Sequence, residues 1–174
     1  MLSVLLLLAC TDSADDTGTV ITDTDTGPDP CTSWAAPAMQ IGKGVGGAFV
    51  AYEENAEVGL TVAPQGGFGV VVLASTQGLV AGDGKLVDVL LETLIDDVVS
   101  GTFVLEQAPF YCNSNGTGGF LSGVVVGFNS TTYSSNDSLL SLNGQIVTLH
   151  VGVTDEIGGY AEVFLPVTIV VGNE

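Results

Sequence analysis

The chain of 174 residues carries 20 acids against two lysines, Lys43 and Lys85, for a net charge of −18. With no arginine it has almost nothing to neutralise phosphates and repels polyanions, which excludes nucleic acid as a partner and disfavours direct contact with anionic headgroups. Its 46% of hydrophobic residues, 24 glycines and six prolines describe one turn-rich domain with attachments.

The chain opens on an apolar segment, residues 2–8, broken only by Ser3 and followed by the small Ala9. It is far short of the ~20 residues that span a bilayer and has the length of a secretory hydrophobic region. Its end, Leu7-Leu8-Ala9-Cys10, resembles the lipobox of bacterial lipoproteins. That resemblance implies a signal peptide over residues 1–9 and a lipid anchor on Cys10, which becomes the new N-terminus. The family's sorting logic retains some lipoproteins at the inner membrane through an Asp after the cysteine. Thr11 stands there instead, which implies the outer membrane. The alternative is a short apolar segment with an incidental cysteine.

Residues 10–30 form an acidic Thr/Asp tether. Asp12, Asp15, Asp16, Asp23, Asp25 and Asp29 meet no basic residue, and Val20 and Ile21 are its only sizeable apolar side chains. Such a segment buries too little surface to offset its ordering entropy, so it is expected to be disordered, with like charges extending it. Asp23, Asp25, Gly27 and Asp29 mimic the start of a calcium loop. Trp34, however, stands where an EF-hand needs its bidentate glutamate.

With Cys10 assigned to lipid, Cys31 and Cys112 remain as a pair in an exported, oxidising compartment. Their disulfide would close a loop of roughly 80 residues, worth about 4 kcal/mol in the chain-entropy model. The alternative, two free redox thiols, lacks a C-x-x-C spacing and a nearby cation.

Residues 31–174 read as the folded domain, and their period is two. Val147, Leu149, Val151 and Val153 fall on one face of a strand, with Thr148, His150 and Thr154 on the other. In the closing segment the inward set is Ala161, Val163, Leu165, Val167, Ile169 and Val171. The outward set is Tyr160, Glu162, Phe164, Pro166 and Thr168. Pro166 predicts a sheet edge or a bulge at that point. The turn residues between the two segments predict a hairpin. Upstream, the same alternation runs through VGGAFVAY, EVGLTVAP, FGVVVLAS, KLVDVLLETLI, TFVLEQ and GFLSGVVVGF. The alternation of Val87, Val89, Leu91, Thr93 and Ile95 favours a strand over the helix that segment would otherwise allow. About eight strands with one apolar face each predict an all-β antiparallel β-sandwich, with a closed barrel as the alternative.

Residues 142–161, LNGQIVTLHVGVTDEIGGYA, resemble the final hairpin of immunoglobulin-like and cadherin-like extracellular domains. The layout of lipobox, Thr/Asp/Gly tether, Ala63-Pro64-Gln65-Gly66-Gly67 stretch and this ending is similar to lipoproteins of myxobacterial type, a group without an assigned activity. The resemblance implies an immunoglobulin-like fold and a cell-envelope address, and it brings no chemistry with it.

No catalytic residue is predicted. His150 is the only histidine and reads as polar covering on an outward strand face. No nucleophile elbow accompanies it, and zinc would require more His or Cys. GKGVGG at residues 42–47 lacks the Lys-Ser/Thr and helix of a phosphate loop and reads as a turn entering a strand. A carboxylate pair for glycoside hydrolysis would have to come from Glu53, Glu54, Glu57 or the acid pairs downstream, without exposed aromatics to grip sugar. Calcium is the one cofactor the acid-rich loops admit, its candidate ligands being Asp96, Asp97, Asp155 and Glu156. The alternative is a solvated acidic surface. The sequons at Asn115, Asn129 and Asn136 read as turn chemistry.

The function expected from the sequence is a lipid-anchored lipoprotein of the bacterial cell envelope, periplasmic or surface-exposed. It would display a non-catalytic binding or structural module to a protein or glycan partner. Polar loops at one end of the sandwich, residues 113–119 and 130–137, are its expected binding surface. A calcium-dependent adhesion module and a carboxylate hydrolase are the rivals.

Overall fold

The computed structural model describes residue 31 and residues 35–45, 48–63 and 66–172. The signal segment, the lipidated Cys10 and the tether lie outside these residues. In chain order the elements are β1 (Ala38–Val45), β2 (Ala48–Ala51), β3 (Ala56–Gly59), β4 (Thr61–Val62), β5 (Phe68–Gln77), β6 (Leu86–Ile95), β7 (Val98–Pro109), β8 (Tyr111–Cys112), β9 (Gly119–Gly127), α1 (Asn136–Leu140), β10 (Ile146–Asp155) and β11 (Tyr160–Val170).

The strands divide into two sheets, the two layers of a β-sandwich. One runs β2-β1-β5-β9-β8, with β4 pairing the start of β5; the other runs β3-β11-β10-β6-β7. Pairing is antiparallel throughout except between β3 and β11. Alternation decides which side chains enter the core. Val87, Val89 and Leu91 on β6 and Val147, Leu149, Val151 and Val153 on β10 are buried, as are Val70, Val72, Ala74, Leu121 and Val126 of the other sheet. Loop residues Leu79, Phe110 and Leu142 fill the ends. The segment around Val87–Ile95 is therefore a strand, and residues 146–170 are a hairpin, as the period of two predicts.

Pro166 shows how edge chemistry works within one strand. β3 covers β11 only from Val167 onward, and the Pro166 carbonyl accepts the Asn55 N–H at 2.8 Å. A residue's N–H and C=O point to the same side of a strand, so the missing N–H lies where β11 has no ladder partner.

Among the described residues there are eleven strands where about eight are expected. β1 is one addition, and it absorbs Gly42–Val45, read above as a turn. The two-residue β8 is another: the chain leaves β7 at Pro109 and crosses to the opposite sheet, pairing Tyr111 with Phe120. The helix α1 stands where a loop is expected. A capping box forms it, Ser138 N–H donating to Ser135 Oγ at 3.2 Å and Ser135 N–H to Ser138 Oγ at 3.1 Å, and the buried Leu139 docks it on the core.

Cys31 and Cys112 are joined by a disulfide across 81 positions, with Cα atoms 5.3 Å apart. The bridge ties the start of the domain to β8. On the far side of the sandwich the sheets close on each other at Gly101, where a Cβ would run into the Gly127 carbonyl. From there β7 and β9 diverge, leaving an apolar groove of about 520 Å³ flanked by Phe103, Leu105, Leu121 and Val124.

Candidate functional site

The outer face of the five-stranded sheet carries a row of side chains set by strand register. Thr102 on β7 lies opposite Glu92 on β6, Glu92 opposite His150 on β10, and His150 opposite Phe164 on β11. Successive outward positions are close enough to interact across each strand gap. Thr102 Oγ1 donates to Glu92 Oε1 at 3.2 Å. Glu92 Oε2 meets His150 Nδ1 at 2.8 Å, and His150 Nε2 meets Glu162 Oε2 at 3.1 Å. Tyr160, whose hydroxyl donates to the same Glu162 oxygen at 2.8 Å, lies across Gly152, where a Cβ would sit 2.8 Å from that hydroxyl. Phe164 stacks on the imidazole with centroids 3.8 Å apart.

His150 thus corrects one expectation. It is on the outward face as predicted, yet only 6% exposed, because Phe164 covers it and two glutamates close its edges. A neutral imidazole has one N–H. Both carboxylate contacts are hydrogen bonds only when the ring carries two N–H groups or a glutamate carries a proton. The hydrogen bonds from Tyr160 and then His150 hold the Glu162 carboxyl below the usual range, against a smaller opposing effect of desolvation. Partial burial, the hydrogen bond to Glu162 and the nearby Glu162 and Glu92 charges push the Tyr160 phenol up to about 12. Glu162 is consequently an exposed carboxylate fixed in place by two donors.

The calcium candidates are spread out. Asp96 and Asp97 form the two-residue turn of the β6–β7 hairpin, both with left-handed φ, 49° and 62°. Asp155 and Glu156 lie at the other end of β6, about 30 Å away at strand rise. Asp155 is 5% exposed and accepts three backbone N–H groups, from Val80 at 2.9 Å, Ile157 at 3.1 Å and Gly159 at 2.6 Å. Its oxygens staple the β5–β6 connection to the β10–β11 turn. Glu156 pairs with Lys85 at 2.6 Å. Among the described residues no group of three or more His, Cys, Asp or Glu side chains is arranged to hold a metal ion.

The two loops expected to share one end of the sandwich lie at opposite ends. Residues 113–119 begin beside Thr76, at the end of β5, whereas residues 130–137 follow Phe128, whose N–H donates to the Phe68 carbonyl at the start of that strand. Each is stapled from within. Asn113, buried, donates to the Thr76 carbonyl and accepts from the N–H groups of Asn115 and Thr117. Asn129 accepts from Thr131 and Thr132, and Tyr133 packs edge-on against Phe128. Of the sequons, Asn129 does turn work of this kind, Asn115 gives its backbone N–H to Asn113, and Asn136 opens α1.

One concavity, of about 640 Å³, is lined by Leu60, Phe68, Leu139 and their neighbours, with no titratable side chain among the described residues. The groove between β7 and β9 holds one carboxylate, Glu106. Glu53 and Glu54 lie at the β2–β3 turn and Glu57 on β3. No described concavity brings two carboxylates together.

What the sequence reading missed is the company His150 keeps. Counting outward from the turn, where Thr154 pairs Tyr160, places Phe164 opposite His150, so half of the site follows from hairpin register. Glu92 does not, because β6 reaches β10 only through the fold. No helix among the described residues is long and apolar enough to cross a membrane. Comparison with known protein families, with curated proteins and with solved structures finds no match for this chain.

Proposed function

We propose that the chain is a lipid-anchored lipoprotein of the bacterial cell envelope, in the outer membrane, whose sandwich is a non-catalytic binding module. The outer face of the five-stranded sheet is its binding surface. The observation that carries the reading is the outward succession Tyr160–Glu162–Phe164 on β11. It combines two rings that are 45% and 53% exposed with a carboxylate that is held by neighbours yet open to solvent. A protein surface that recognises partners combines exposed aromatics with fixed polar groups in this way.

Two further features support the address. The lipobox-like residues 7–10 would supply the anchor, and the Cys31–Cys112 bridge suits an oxidising compartment. The non-catalytic reading draws on the site's chemistry. The acid–base groups of the row are engaged with one another on a flat face, whereas hydrolysis by carboxylates requires two of them across a substrate cleft.

The test is intact mass of the protein purified from its native membrane, before and after reduction. Residues 10–174 plus acyl chains, gaining one hydrogen per thiol of Cys31 and Cys112 on reduction, is the expected result. An unacylated chain that retains Met1 would overturn the anchor and the address together.

A further inference from the structure

Outward positions of an antiparallel sheet are normally polar covering. Here Val104 on β7 is 51% exposed and shares a register row with Leu90, Gly152 and Glu162. The Tyr160 and Phe164 rings flank Glu162 two positions away on either side. One face of Phe164 is occupied by His150 and the ring is still half exposed. Both of the donors that reach Glu162 use Oε2, so Oε1 accepts no hydrogen bond among the described residues. A carboxylate oriented in advance, with one oxygen unused and an aromatic face beside it, loses little freedom when a cation arrives.

We propose that Tyr160, Glu162 and Phe164 seat an arginine side chain of a basic partner protein, laid across the sheet with apolar residues on Val104 and Leu90. A guanidinium matches the site in both respects, since its plane stacks on a ring and its N–H fork meets a carboxylate oxygen. Charge selects the class of partner. The chain has 20 acids and two lysines, so a second copy brings no guanidinium and is repelled, whereas a basic polypeptide is drawn in by the same field. The aliphatic flank extends the surface beyond what a small free cation would cover. The proposal rests on the reading of this face as a binding surface, and names what it binds.

The experiment titrates the full chain, isolated in neutral detergent and isotope-labelled, with a short Gly-Arg-Gly-Arg-Gly peptide and with its citrulline counterpart, followed by amide NMR shifts. The arginine peptide is expected to move the resonances of residues 160–164, and citrulline to bind at least about fivefold more weakly. Glu162→Gln, which keeps an oxygen for Tyr160 and His150, is expected to weaken arginine binding by about fivefold, and Phe164→Leu by about threefold. Glu53→Gln, in the β2–β3 turn, should leave it within about twofold. Equal weakening by Glu162→Gln and Glu53→Gln would show a diffuse acidic field and overturn the seat. Equal binding of citrulline, or stronger shifts at the same residues from a neutral oligosaccharide, would overturn it too. An unacylated chain that still passes this titration would remove the anchor and leave the seat standing. An acylated chain that fails it would do the reverse.

Discussion

His150 lies flat against Phe164, ring centroids 3.8 Å apart and planes 8° from parallel. The pair explains how a histidine on a solvent-facing strand surface becomes buried without any element among the described residues packing over the sheet. Phe164→Ala removes the cover. The expected cost is about 1 kcal/mol in urea unfolding, from the lost ring pair and its apolar contact. The fold itself should persist, because the inward faces of β10 and β11 are untouched.

Beneath that ring, Glu92 and His150 form the least exposed carboxylate–imidazole contact of the row, with side-chain exposures of 19% and 7%. A double-mutant cycle of Glu92→Gln and His150→Gln should return a coupling of about 1.5–3 kcal/mol, the range of a hydrogen bond to a charged group. Coupling near zero would mean that water serves both side chains equally well.

The site was half legible because its two halves have different origins. Tyr160, Glu162 and Phe164 follow from alternation in a strand anchored by a short turn, and His150 faces them by hairpin register. Glu92 belongs to a strand that meets β10 only after the chain has passed through the other sheet, and no local pattern carries that pairing. The same distinction governs the fold. β6, β10 and β11 have long unbroken alternation and were readable. β8 owes its place to a two-residue crossing into the other sheet, and α1 to serines that cap each other, neither of which leaves a hydrophobic period. Residues 113–119 and 130–137 are singled out in the sequence because they are rich in Asn, Ser, Thr and Gly. In the structure Asn113 holds the backbone of the first of these loops, and Asn129, just before the second, holds the backbone at its start.

The tyrosine and glutamate of the row give opposite pH signatures. Tyr160 has its folded value raised to about 12 from the ordinary 10.0. The stability it lends is therefore complete below pH 10 and lost as pH rises toward 12. Glu162 is shifted down, so its contribution is present above the ordinary carboxyl range and disappears as pH falls through the lowered folded value. Phenolate absorbance should show a late phase near pH 12 in the native protein that vanishes in Tyr160→Phe. A Tyr160 that titrates with the free phenol would contradict the hydrogen bond to Glu162.

Asp155 is the buried carboxylate on which two connections depend. Asp155→Ala strands the N–H groups of Val80, Ile157 and Gly159, and is expected to cost about 2–4 kcal/mol. Asp155→Asn, which keeps one acceptor oxygen, should cost about half of that. With its oxygens taken by backbone donors, Asp155 offers calcium little. The melting temperature should not move when millimolar calcium is added, and a clear rise through ligand linkage would restore the adhesion reading.

The Cys31–Cys112 bridge spans 81 positions and joins a residue that is 1% exposed to an exposed one on β8. Opening it frees the start of the domain from the strand that switches sheets, while the hairpin of β10 and β11 and its pairing with β6 remain intact. Cys31→Ser combined with Cys112→Ser should therefore lower unfolding stability by about 2–4 kcal/mol, through the larger conformational freedom of the unfolded chain. Hydrogen exchange should quicken first at β8 and the adjoining residues 119 and 120, since Tyr111 and Cys112 pair only with them. Uniform quickening across both sheets would instead mean that the bridge supports the whole sandwich, with β8 as part of its cooperative unit.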